Sequence, residues 1–160
     1  MSLAIIWHSR TGAAKAMAQA AFEGTGGGTL AMLIAAERAT PALLLAAQGY
    51  LFICPENLGA LTGAMKEMFD TLYYPLLGRI EGRPYASAIA AGSDGQGAQR
   101  QLDRIVTGWR LRRVAEPLIV NLGAQSEETI LGLKHLTLAQ MEPCRTLGKA
   151  LAEGLAMGVF

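Results

Sequence analysis

Leu3-Ala4-Ile5-Ile6-Trp7-His8-Ser9-Arg10-Thr11-Gly12-Ala13-Ala14 reads as a strand, a short polar loop and the opening of a helix. The apolar run breaks at Ser9, and Ala14, Met17, Ala18, Ala21 and Phe22 then recur at the spacing of one helix face. The first N–H groups of a helix have no acceptor within it, and the helix dipole adds partial positive charge at that end. Such a loop favours an anion. Ser9 and Thr11 add hydroxyl donors, and Gly12 lets the backbone approach closely. The same residues also read as an ordinary helix cap with no ligand.

Outward from this unit, apolar runs alternate with amphipathic segments. The pattern predicts strands over residues 3–8, 30–35, 50–54, 84–91 and 114–121, the last with Pro117 marking an edge or a bulge. The glycine run from Gly24 to Gly28 ends the first helix. Thr40-Pro41 caps a short second helix. A third helix carries Leu61, Met65, Met68, Phe69 and Leu72, and a fourth carries Leu102, Ile105, Val106 and Trp109. A final helix is expected from about 143 to 156, and residues 123–136 fit no period. Strands alternating with helices, with no repeat and no linker, predict a single domain over 1–160. Its expected fold is doubly wound α/β, a five-stranded parallel sheet in the order 2-1-3-4-5 with helices on both faces. Ligands of such sheets bind beyond the carboxyl ends of the strands, at the switch point. The loops after His8, Cys54 and Ala91 should therefore carry the chemistry.

The chain is 51% hydrophobic and 17% charged, with a net charge of +1. No apolar run approaches the ~18 residues a membrane helix needs, whereas strands covered on both faces read as continuous apolar runs. The balanced charge leaves no footprint for nucleic acid, and Arg110, Arg112 and Arg113 read as a solvated helix end. Cys54 and Cys144 lack metal-type spacing and read as reduced thiols. The absence of a basic leader gives a cytoplasmic expectation.

The second loop is Pro55-Glu56-Asn57-Leu58-Gly59, whose amides and Asn57 offer hydrogen bonds to a polar ring edge. The third is Gly92-Ser93-Asp94-Gly95-Gln96-Gly97, rich enough in glycine to lie flat against a planar ligand. Together the loops resemble those of the flavodoxin-like FMN proteins, most closely the small NAD(P)H-dependent FMN reductase and quinone oxidoreductase branch. His8-Ser9-Arg10-Thr11-Gly12 looks like that branch's phosphate loop. Pro55 to Gly59, followed by Gly63-Ala64-Met65-Lys66 and Phe69-Asp70, looks like its flavin-flanking loop and helix.

The resemblance implies that Ser9, Thr11, Gly12, Ala13 and Ala14, with Arg10 in the same loop, bind the phosphate of FMN. It implies that Pro55, Glu56, Asn57, Leu58 and Gly59 flank the isoalloxazine, and that Gly92, Ser93 and Gly95, with Asp94 between them, complete the ring site. One departure stands out: the family loop continues to a threonine where this chain has Ala14. One hydrogen bond fewer to a charged group corresponds to roughly ten- to a hundredfold in affinity.

The expected function is electron transfer from NAD(P)H through FMN to a quinone or other small acceptor, with no catalytic side chain and no metal, since the cofactor carries the chemistry. The resemblance also implies a homo-oligomer. The alternatives are a flavodoxin-type electron carrier, or a binding module of the same fold with weak or no FMN. The chain lacks the strong acidity and the third-loop aromatics of the carriers. Gly24 to Gly28 precedes a strand and is no dinucleotide fingerprint; no Walker A loop and no Gly-x-Ser-x-Gly elbow occur. The ends of strands 1 and 3 are His8 and Cys54, not the acidic residues of a receiver domain. His8, Cys54, Tyr73 and Tyr74 are open between packing and a place near the ligand.

Overall fold

The computed structural model describes residues 2–160. Its strands are β1 (Leu3–Trp7), β2 (Ala31–Ala35), β3 (Gly49–Asn57), β4 (Ala60–Leu61), β5 (Pro84–Ala91), β6 (Arg112–Arg113) and β7 (Leu118–Asn121). The helices are α1 (Ala13–Gly24), α2 (Pro41–Ala46), α3 (Gly63–Leu76), α4 (Gln96–Gly108), α5 (Glu127–Leu131) and α6 (Leu138–Met157). The sheet runs β2-β1-β3-β5, with β6 and β7 both on the outer side of β5. Every pairing is parallel except that of β4 with β3. With β4 set aside and β6 and β7 taken as one interrupted strand, this is the expected 2-1-3-4-5 order.

Alternation along the strands sorts the core into two layers. Ala4, Ile6, Tyr50, Phe52 and Cys54 face α2, α3 and α4, while Leu3, Ile5, Leu51 and Ile53 face α1 and α6. α1 and α6 meet at small residues. A Cβ on Gly148 would strike the carbonyl of Ala21, and one on Gly24 the carbonyl of Arg145. No helix among the described residues is long and apolar enough to cross a membrane.

The structure corrects the sequence reading in four places. β3 does not stop at Cys54 but continues through Pro55, Glu56 and Asn57 and folds back as β4, so Leu61 stands in a strand and α3 begins at Gly63. The fifth strand is split: after Val114, whose N–H still donates to the Tyr85 carbonyl at 3.0 Å, residues 115–117 leave the ladder, and Pro117 has no N–H to donate. The last helix begins at Leu138, with Pro143 inside it. Its true start is a capping box: Thr137 Oγ1 accepts from the Gln140 N–H at 3.2 Å, and Gln140 Oε1 accepts from the Thr137 N–H at 2.9 Å. Finally, residues 126–136, which fit no period, form α5 and a strap across the loop that opens α1.

Candidate functional site

The first loop leaves β1 at His8 and turns into α1 at Gly12, whose φ of 98° lies in the left-handed region that favours glycine. Ser9 Oγ accepts from the Gly12 N–H at 3.1 Å, so the serine hydroxyl hydrogen is left to donate elsewhere. Gly12 supplies no side-chain cap to α1. The first-turn N–H groups of Ala13, Ala14 and Lys15 precede the first intrahelical bond, made by the Ala16 N–H to the Gly12 carbonyl at 3.0 Å. α2, α5 and α6 instead carry Thr40, Ser126 and Thr137 as side-chain caps.

The second loop is a two-residue hairpin turn. Leu58 at φ 52° and Gly59 at φ 72° both have positive φ, the pattern of a type I′ turn. Leu58 is fully exposed at its tip. The hairpin is clamped to α4 by side chains distant in sequence. Glu56 Oε1 accepts from the Gly95 N–H at 3.0 Å and Oε2 from the Ala98 N–H at 2.9 Å, so one carboxylate caps the start of α4. Gln101 Oε1 accepts from the Leu61 N–H at 2.7 Å. A Cβ on Gly97 would strike the carbonyl of Gly59. The third loop is held by Asn121, whose side-chain amide donates to the Ser93 carbonyl. Gly92 lies so close to β7's exit that a Cβ there would stand 2.8 Å from the Ala124 carbonyl.

These loops enclose a cleft of about 480 Å³, within the ~300–1,000 Å³ of small-molecule sites. Of the residues expected from sequence, Arg10, Thr11, Ala13, Pro55, Glu56, Asn57, Leu58, Gly59, Gly92 and Ser93 line it. Ser9, Gly12, Ala14, Asp94 and Gly95 do not. Gly12 and Gly95 shape the starts of α1 and α4, and Ala14 is buried against the sheet. Ala90, Leu122, Ala124, Ile130, Leu131 and Lys134 line the cleft without having been expected. Ala90 is legible as the end of a central strand. The others carry no motif, because their place depends on how the chain after β7 returns over the first loop.

His8 and Cys54 are held within the framework, whereas Tyr74 is exposed. His8 Nδ1 lies 3.0 Å from Thr62 Oγ1, and its Nε2 lies 3.3 Å from Glu37 Oε1, away from the cleft lining. Cys54 is fully buried in the layer beneath α3 and α4, and burial pushes its thiol up to about 12, with a backbone hydrogen bond from Thr62 opposing. It is therefore no nucleophile at neutral pH. Tyr73 and Tyr74 pair edge-to-face at 5.1 Å on α3, outside the cleft. No cluster of metal-ligating side chains exists among the described residues.

A flavodoxin from Aquifex aeolicus is 28% identical over 97% of this chain and 87% of its own length. The structure of an archaeal flavodoxin superposes with a TM-score of 0.77 at 17% identity, covering 98% of this chain and 99% of that one. The fold is that of the flavodoxins. A flavone reductase shares it as well, with a TM-score of 0.74 at 15% identity over 96% of this chain and 62% of that one. No family model matches the chain.

Proposed function

We propose that this chain binds FMN in the cleft and passes electrons from NAD(P)H through it to a quinone or other small acceptor. The observation that carries the reading is convergence. The start of α1, with no side-chain cap, opens on the same cleft as the hairpin tip and the Gly92-Ser93 backbone. At the cleft lining a phosphate would meet the Thr11 hydroxyl and the Ala13 N–H, both donors, at the positive end of a helix of 12 residues whose next first-turn N–H groups are those of Ala14 and Lys15. The apolar lining from Ala90, Leu122 and Ala124 suits a planar ring, and the Asn57, Gly59, Gly92 and Ser93 backbone offers hydrogen bonds to its polar edge. Bound FMN would supply the redox chemistry between a nicotinamide donor and a small acceptor. The protein's part is to hold the phosphate, orient the ring and leave one face reachable.

Reachability supports the reductase over the carrier, because no aromatic side chain lines the cleft among the described residues. The similarity to the Aquifex flavodoxin favours the second reading, an electron carrier. Anaerobic mixing of the FMN-loaded protein with NADPH and NADH separates the two. Rapid bleaching of the flavin absorbance, with oxidation of the nicotinamide sustained by an added quinone, supports the reductase. Flavin that dithionite bleaches and neither nicotinamide does would leave the carrier.

A further inference from the structure

The strap formed by residues 126–136 brings a lysine onto the loop that opens α1. The Lys134 N–H donates to the Thr11 carbonyl at 2.8 Å, and the Lys134 carbonyl lies 3.5 Å from where a Cβ on Gly12 would stand. Its ammonium donates to the carbonyls of Ile130 at 2.9 Å and Gly132 at 2.6 Å, and reaches Thr11 Oγ1 at 3.4 Å. Lys134 is half-buried, lines the cleft beside Thr11 and Ala13, and pairs with no carboxylate among the described residues. Arg10, the other cationic residue of the lining, is exposed.

Two consequences follow from elementary chemistry. A hydroxyl has one hydrogen, so a Thr11 oxygen that accepts from the ammonium sends its own hydrogen to a different acceptor. A half-buried cation is also screened less than one at the surface, so it acts more strongly on a dianion nearby. Ala13 and Ala14 contribute backbone alone, so beside the exposed Arg10 the half-buried side-chain complement to negative charge in the lining is Lys134 with the Thr11 hydroxyl next to it.

We propose, resting on the FMN reading above, that Lys134 makes the cleft selective for a phosphorylated flavin by holding positive charge over the α1 loop and directing the Thr11 hydroxyl hydrogen. It is a positioning residue, delivered by a segment outside the phosphate loop. The test titrates the purified protein, Lys134→Met and Lys134→Arg with FMN and with riboflavin, followed by flavin fluorescence. The unmodified chain should prefer FMN. Lys134→Met should weaken FMN binding by about ten- to a hundredfold, the size of one hydrogen bond to a charged group, and leave riboflavin binding within about twofold. Lys134→Arg should restore most of the FMN affinity, and circular dichroism should show all three chains folded. Equal losses for both flavins would make Lys134 a strut of the strap and overturn the proposal, as would FMN binding indifferent to Lys134→Met. If neither flavin binds the unmodified chain, the FMN reading falls first and the role of Lys134 with it.

Discussion

Replacing Glu56 with alanine removes the one carboxylate that joins the hairpin to α4. Two backbone N–H groups, of Gly95 and Ala98, lose an acceptor at 3.0 and 2.9 Å. Hydrogen bonds to a charged group contribute about 1.5–3 kcal/mol each, and a negative charge at a helix N-terminus adds about 0.3–1 kcal/mol. Glu56 is only half-buried, so water recovers part of the loss. The expected cost is about 2–4 kcal/mol, which lowers the melting temperature of a chain this size by about 5–15 °C. Glu56→Gln keeps one carbonyl acceptor and should cost about half as much. The assay is urea unfolding followed by circular dichroism, with amide hydrogen exchange as the local probe. Exchange at Gly95 and Ala98 should accelerate more than exchange in β1. The variant should also bind FMN more weakly, since the hairpin wall loses its clamp. A Glu56→Ala protein within about 0.5 kcal/mol of the parent, with unchanged exchange at both amides, would refute this reasoning.

The α1–α6 contact and the buried thiols give further expectations. Gly148→Ala should destabilise by about 1–3 kcal/mol despite the better helix propensity of alanine, because its Cβ meets the Ala21 carbonyl; Gly108→Ala, with open space around it, should be neutral or stabilising by up to about 1 kcal/mol. Urea midpoints of the two variants moving the same way would contradict this. Burial pushes the Cys54 thiol up to about 12 and the Cys144 thiol up to about 11. Neither should react with Ellman's reagent at about pH 8 in the folded protein, and both should react in denaturant. The folded state therefore holds these protons more tightly than the unfolded one. That contribution is complete below the ordinary thiol value of 9.0 and is lost as pH rises towards about 11 and 12, at up to about 1.4 kcal/mol per pH unit for each thiol. Tyr50 and Tyr85, also raised chiefly by burial, act in the same direction. Urea midpoints that stay flat from about pH 8 to 10.5 would show the thiols to be accessible.

The strands and their order were legible because buried parallel strands write themselves as apolar runs, and those at 3–8, 50–54 and 84–91 are each followed by a helix with its own period. What escaped was fixed by distant contacts or by unusual turn chemistry. Pro55 reads as the end of a strand, yet it pairs with Ala90 and the strand runs on. The turn at Leu58-Gly59 lacks the asparagine that announces a type I′ hairpin, and a leucine at φ 52° leaves no trace in composition. Pro143 drew the start of the last helix five residues late, although Thr137 and Gln140 spell a capping box. For the site, the loops after β1, β3 and β5 were placed by the switch-point rule. The strap was not, because α5 buries none of its side chains and Lys134 is positioned by Thr11, 123 residues away. The double role of Glu56, lining the cleft while capping α4, shows only once the third loop lies beside the hairpin.

Phosphorus NMR of FMN titrated with the protein tests the central claim most directly. FMN carries one phosphorus, with a second pKa near about 6 when free. One equivalent of protein should give a shifted, broadened resonance that no longer titrates between about pH 5 and 8, because donors at the start of α1 hold the dianion. A phosphorus signal that keeps its free position and its titration in the presence of excess protein would contradict FMN bound through the loop from Ser9 to Gly12.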